Sequence, residues 1–173
     1  MFETEEDLDR AAASARIRVV TWADPAGMAG AVGMTGLEVV SAIAEGRLPS
    51  PPIASLVGFD RLDVSEGRVG LTLSPAELHY NPLGTVHGGV ISTLLDTVAG
   101  CAVHTTLPAG AAYTSLDLAV KFLRPVTVRT GDVTATGTVV HRGKRTALAQ
   151  AVLADADGTL LATATSTCMI TTV

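Results

Sequence analysis

Aromatic residues are scarce in this chain: Phe, Tyr and Trp together make up 3% of 173 residues. Ala, Val, Leu and Ile must therefore fill the core, and an apolar fraction of 47% supplies them. Charge is also scarce, at 17%, and its balance is acidic, with a net charge of −5. Low charge with high apolar content excludes a disordered chain. The missing basic surface argues against nucleic-acid binding, which depends on neutralising phosphates. The two cysteines, Cys101 and Cys168, lie in apolar surroundings without C-x-x-C spacing. They are expected to be free buried thiols of a reducing cytoplasm. The four histidines are scattered without H-x-x-x-H spacing, so no metal site is expected. There is no G-x-S-x-G elbow, so a Ser-His-Asp triad is not suggested. The opening "MFETEEDLDR" is acidic and lacks an apolar run, which predicts no secretory signal. The greasiest segment, Val86 to Val103, contains Asp96 and falls short of the roughly 20 apolar residues that span a bilayer. It reads as a buried helix, and no membrane association is expected.

What is present fits one domain with a real core. Residues 1–34 read as an N-terminal extension whose "DPAGMAGAVGMTG" shows no clear period. Thr35 and Glu38 make a capping box that opens a helix over about 35–46. Leu37, Val40, Ile43 and Ala44 give that helix an apolar face, and Gly46 stops it. "LPSPP" is a rigid linker, and "IASLVG" suits one more short helical turn. "FDRLDV" and "RVGLTLS" flank "SEG" and predict a hairpin. A helix follows from about Gly88 to Thr105. "YTSLDLAVKFL", "GDVTATGTVVH", "RTALAQAVLAD" and "LLATATSTCMI" then read as long strands separated by turn signals. There is no βαβ alternation, so the sheet is expected to be antiparallel. An α+β fold follows, with a curved sheet wrapped around one long helix.

That helix carries the candidate chemistry. Val90, Ile91, Leu94, Leu95, Val98, Ala102 and Val103 cover more than half of its circumference. Asp96 shares the remaining stripe with Ser92, Thr93, Thr97 and Gly100. Taken alone, Asp96 reads equally as a solvated carboxylate. The thin stripe of small residues would also let another surface approach, and a partly buried Asp then needs a partner. Ahead of the helix stands "HGG". Gly88 and Gly89 leave their amides bare at a helix N-terminus, where the dipole favours a developing oxyanion. An ordinary turn explains the glycines equally well, and loop bracing explains His87 and Asn81. Gly88 and Asp96 are eight residues apart, about 12 Å along a helix, so one carbonyl cannot touch both in a single chain. Cooperation requires a second, antiparallel helix across a two-fold axis, as an isologous dimer provides.

"N-x-x-G-x-x-H-G-G", an Asp nine residues after the His, "T-S-L-D-L-x-V-x-F-L-R-P" and a later "G-K-R" turn together resemble the hotdog-fold acyl-CoA thioesterases. The resemblance is to their phenylacetate-degradation, 4-hydroxybenzoyl-CoA thioesterase-like branch. It covers about residues 53–171, which divides the chain into an extension, 1–52, and a hotdog domain, 53–173. It implies homodimers, often paired into tetramers, with the active site at the dimer interface. By motif position it implies Asp96 as the catalytic carboxylate. Gly88, and with it Gly89, would polarise the thioester carbonyl. Asn81 would position the water or carbonyl, and His87 would support the loop. Ser115, or Thr114 one residue earlier, would orient the water or carboxylate. Gly143, Lys144 and Arg145 of the "HRGKR" turn would hold the nucleotide end of coenzyme A, although a solvated hairpin turn fits them too. Arg124 would meet a phosphate or cap the sheet edge. No cofactor is implied beyond the CoA of the substrate.

The chemistry agrees. A thioester carbonyl is electrophilic and its thiolate leaves easily, so one carboxylate and one oxyanion site suffice. With an unperturbed pKa of about 3.9, an Asp is ionised at neutral pH and can act as base or nucleophile. The competing class is a hotdog protein that binds acyl-CoA without turnover. A hydratase on the same fold would need a His five residues from its Asp, where this chain has Cys101.

Overall fold

Thr35 opens the first α-helix through the capping box its sequence predicts. In the computed structural model, which describes residues 15–172, helix α1 runs Gly36–Ala44. The Glu38 amide donates to Thr35 Oγ1 at 3.3 Å, and the Glu38 carboxylate accepts from the Thr35 amide at 2.7 Å. Bonds from the Thr35 amide and hydroxyl hold the Glu38 carboxyl below the usual carboxylate range. The helix closes before Gly46, which adopts φ 72°. Ahead of α1, Pro25–Ala31 forms a 3-10 helix begun by Asp24, whose carboxylate accepts from the Ala26 amide. A piece this short needs no amphipathic period, which is why the sequence shows none there. Helix α2, Pro52–Val57, is the expected short turn. Arg18 donates to the carbonyls of Ser55 and Leu56 at 2.8 and 2.9 Å, satisfying groups that the end of α2 leaves open. Val39, Ala42 and Leu48 join Met28 and Met34 in a small apolar cluster of the extension.

The sheet is antiparallel throughout. Strands β1 (Phe59–Ser65) and β2 (Arg68–Leu73) form the predicted hairpin. Helix α3 (Gly88–His104) comes next. Then follow β3 (Ala111–Ser115), β4 (Ala119–Phe122), β5 (Val133–Arg142), β6 (Thr146–Asp155) and β7 (Leu160–Thr172). The seven strands are ordered β1-β2-β5-β6-β7-β3, with β4 also pairing β7.

The expected single strand "YTSLDLAVKFL" is in fact two, β3 and β4. Asp117 breaks it: its carboxylate accepts from the Thr167 amide at 3.0 Å, and its carbonyl accepts from the Ser166 hydroxyl at 2.8 Å. A side chain thus takes over part of the ladder. Four residue steps from Ser115 to Ala119 oppose three on β7, from Cys168 to Thr165. This is a bulge, and it reverses which residues face inward. Tyr113 and Ser115 face α3 before it, and Leu118, Val120 and Phe122 face inward after it.

Helix α3 lies across the concave face. Ile91, Leu94, Leu95, Val98, Ala102 and Val103 are all 4% exposed or less, while Val90 is partly buried. Many of the facing sheet residues are small, including Ala135, Ala149, Ala151, Ala162 and Ala164. Gly137 marks the closest approach, because a Cβ there would collide with the Val98 carbonyl. Gly100 departs from the sequence expectation. It does not lie open for another surface; the Tyr113 ring covers it, and a Cβ would sit 2.6 Å from that ring. Among the described residues no helix is long and apolar enough to cross a membrane.

Gly137→Val is expected to destabilise the fold by about 3 kcal/mol or more, since backbone cannot yield as a side chain does. Urea unfolding checks this against Thr134→Ala on the exposed face of β5, which should stay within about 0.5 kcal/mol of the parent.

Candidate active site

The turn before α3 is built by side chains bonding to nearby backbone. Asn81 Oδ1 accepts from the amides of Leu83 and Thr85 at 2.9 and 3.3 Å. Its Nδ2 donates to Thr85 Oγ1 at 3.1 Å. Asn81 therefore shapes the loop, and only its flank reaches the recess beside Gly88. The His87 amide donates to the His79 carbonyl at 2.7 Å, which fixes where the helix starts. His87 is the N-cap of α3, and its Nδ1 accepts from the Gly89 amide at 2.8 Å.

This bond separates the two glycines. The Gly89 amide is held by the cap and cannot also polarise a carbonyl. The Gly88 amide donates to no other group among the described residues. It borders a recess of about 390 Å³ whose walls include Asn81, Ile91, Phe122 and Arg124. The Phe122 ring lies over Gly88, so close that a Cβ would meet it at 3.0 Å. Only glycine leaves room there for a ligand beside the ring.

Asp96 lies farther along α3, half-buried, and accepts a hydrogen bond from Ser115 Oγ at 3.0 Å. Thr114 projects to the opposite face of β3, as strand alternation requires. Ser92, Thr93 and Thr97 donate to the carbonyls of Gly88, Gly89 and Thr93, so the helix backbone holds all three hydroxyls. The described ion pairs do not include Asp96. The carboxylate borders a groove of about 370 Å³ formed with Ser92, Thr93, Ser115 and Leu116.

The groups behind Asp96 stay uncharged at neutral pH. Burial pushes the Cys101 thiol up to about 11, against a hydrogen bond from Tyr113 and with help from the Asp96 charge. Burial raises the Tyr113 hydroxyl and the Cys168 thiol as well, and lowers the His104 imidazole. Asp96 thus stands with an open groove on one side and the neutral Cys101, Tyr113 and Cys168 on the other.

Within one chain the site is in two parts. Gly88 and Asp96 border separate recesses, about 12 Å apart along α3. Arg124 borders the Gly88 recess while its Nη1 donates to the Leu160 carbonyl at 2.6 Å, so it also ties the sheet edge. Gly143, Lys144 and Arg145 border neither recess. The Gly143 amide closes its hairpin on the Thr146 carbonyl at 2.8 Å, and Lys144 and Arg145 are exposed. Two contributors were not singled out from sequence. Phe122 covers Gly88, and Asp117 makes the bulge that aims both Ser115 and Phe122. Asp117 stands in "T-S-L-D-L", where an Asp inside a β-branched run is itself a signal for a break.

Residues 83–162 match the family model described as the Thioesterase superfamily. An esterase-named protein of Halobacterium salinarum is 32% identical over 124 residues, covering 68% of this chain and 80% of its own. Human acyl-coenzyme A thioesterase 13 is 30% identical over 102 residues, covering 58% of this chain and 71% of its own. Among solved structures, a phenylacetic acid degradation-related protein of Ralstonia eutropha superimposes with a TM-score of 0.68 at 31% identity, covering 75% of this chain and 97% of its own. The chain belongs to the thioesterase superfamily and is a thioester hydrolase of the hotdog fold.

Proposed function

We propose that this protein hydrolyses an acyl-CoA thioester at a site shared by two protomers. The Asp96–Ser115 pair carries the proposal: a half-buried carboxylate, held by one hydroxyl and outside the described ion pairs, is poised for chemistry. Gly88 supplies the complementary feature, a bare amide at the positive end of a 17-residue helix. Two copies of α3 running antiparallel across a two-fold axis set Asp96 of one protomer against Gly88 of the other, and do so twice. The outer edge formed by β3 and β4 suits such pairing, with Leu116, Phe122 and Leu123 at 56%, 55% and 50% exposure. The acyl-CoA thioesterase name of the human relative supports the substrate class.

In this reading the thioester carbonyl oxygen accepts from the Gly88 amide. Asp96 then takes a proton from water as its oxygen attacks the carbonyl carbon, or attacks that carbon itself to form an anhydride that water opens. The C–S bond breaks, the thiolate leaves and is protonated, and the products are a carboxylic acid and CoA. The Ser115 bond keeps one carboxylate oxygen occupied and turns the other toward the reacting centre. Arg124, Lys144 and Arg145 offer cations to the phosphates of the CoA portion, which reaches beyond the two recesses. A second reading, binding of acyl-CoA without turnover, leaves the Asp96–Ser115 pair without a purpose.

Thiol release from a panel of acyl-CoA substrates tests the proposal. Asp96→Ala and Asp96→Asn should each lower kcat by about 10²–10⁴-fold while circular dichroism stays that of the parent. Full turnover by either variant would assign the chemistry elsewhere.

Ser115→Ala should lower kcat about tenfold with KM little changed, since one hydrogen bond to a charged group stabilises by about 1.5 kcal/mol or more. A change confined to KM would show that Ser115 binds substrate and does not orient Asp96.

A further inference from the structure

A third recess lies beneath the N-terminal helices, and nothing in the hydrolytic chemistry uses it. Its volume is about 450 Å³, within the range of small-molecule sites. Val40 and Ile43 of α1, Ala54 of α2 and Phe59 of β1 form its walls. Thr97, Cys101 and His104 form its floor. These three follow one another on α3 at spacings of four and three, so they make a single row along the helix.

That row leads to the groove of Asp96. Thr93, which borders the groove, precedes Thr97 by one turn, and Thr97 Oγ1 donates to the Thr93 carbonyl at 2.7 Å. Thr97 is also the residue after Asp96. Groove and recess therefore adjoin through the Thr93–Thr97 row, with Asp96 itself pointing about 100° round the helix from Thr97. From Asp96 to His104 the helix rises about 12 Å. Past His104 the way is closed: Gly36 packs directly on the His104 backbone, and its amide donates to the Leu107 carbonyl at 3.0 Å.

The recess offers no free charge. The Thr97 hydroxyl is taken by the helix backbone, and burial keeps the Cys101 thiol protonated and favours neutral His104. Arg61 stands at the rim, paired with Asp60 at 3.3 Å and Asp132 at 3.1 Å. Largely apolar walls without a free charge favour an uncharged hydrocarbon group and reject a carboxylate or phosphate.

We propose that this recess receives the acyl group of the substrate, which is an apolar, uncharged chain of medium length. The proposal rests on Asp96 meeting the thioester carbonyl: the carbonyl sits in the groove, and the chain runs past Thr97 toward His104. Helices α1 and α2 then limit the acyl length. Both lie outside the matched residues 83–162, so selectivity comes from the extension and chemistry from the family's shared part.

Chain-length profiles of kcat/KM test this, using acetyl-, butyryl-, hexanoyl-, octanoyl- and palmitoyl-CoA. The wild-type protein should favour hexanoyl or octanoyl over both extremes. Ile43→Trp narrows the recess and should lower the octanoyl-to-acetyl ratio at least about tenfold, as loss of room for a methylene or two does in an apolar pocket. Ile43→Ala widens it and should move the optimum to a longer chain, which decides the matter if the tryptophan variant fails to fold. Ratios unchanged to within about twofold in a folded variant overturn the assignment. Affinity of the Asp96→Ala protein for octanoyl- against acetyl-CoA, by calorimetry, separates the two readings because it needs no turnover. A preference for octanoyl-CoA that Ile43→Trp removes upholds the recess even where the parent hydrolyses nothing. Turnover with no chain preference in binding or kcat/KM upholds hydrolysis and sinks the recess.

Discussion

The close seating of α3 on the sheet is the constraint on which the rest of the structure depends. Few aromatics are available, so the core cannot be spaced out by large rings. Alanines line the sheet opposite the helix, and at Gly137 even a methyl group is excluded by the Val98 carbonyl. A helix held this near has no freedom to roll or slide, because interiors pack like crystals and small displacements create overlap. The line of residues from Gly89 through Asp96 to His104 is thereby presented at one fixed angle. Precise placement of a carboxylate is then a by-product of core packing.

A second device completes the site from the sheet. Without the Asp117 bulge, the alternation that turns Ser115 toward α3 would turn Phe122 away from it. One extra residue reverses the parity, so Ser115 reaches Asp96 and Phe122 covers Gly88 from what is nearly one strand. Both halves of the divided site are thus set by the same bulge. The strand concerned also lies at one edge of the sheet, where an irregularity discourages indiscriminate edge pairing while leaving apolar side chains for a specific partner.

Features made by residues near one another in sequence were legible before the structure. The Thr35–Glu38 box, the β1–β2 hairpin and the start of α3 each depend on groups within a few positions. The separation of Asp96 from Gly88 within one chain was legible too, because the helical rise alone keeps them from sharing a carbonyl. Other features depended on distant residues. Asp117 bonds to Thr167, fifty positions away, so the Asp hints at a break but its partner does not show in the local sequence. Gly100 had the composition of an open stripe, but Tyr113 arrives from another element to cover it. That His87 occupies the Gly89 amide and leaves that of Gly88 bare was also hidden in the sequence. Whether His87 turns its ring back onto Gly89 or outward is a matter of one rotamer.

The cap on Gly89 bears on the electrostatics of hydrolysis. A helix start offers several unpaired amides, and an oxyanion gains most from one that is both free and pointed at it. His87 holds the second amide and so leaves the Gly88 amide as the one the proposed mechanism offers to a carbonyl. A neutral imidazole that accepts through Nδ1 carries its proton on Nε2, away from the helix, so the cap adds no positive charge beside the site. The field at Gly88 is then that of the amide and the helix dipole. The negative charge of Asp96 lies about 12 Å off within the same chain and does not oppose an oxyanion forming there. In the proposed dimer, separating donor and carboxylate along one helix and reuniting them across two keeps their opposite demands from cancelling until a substrate lies between them.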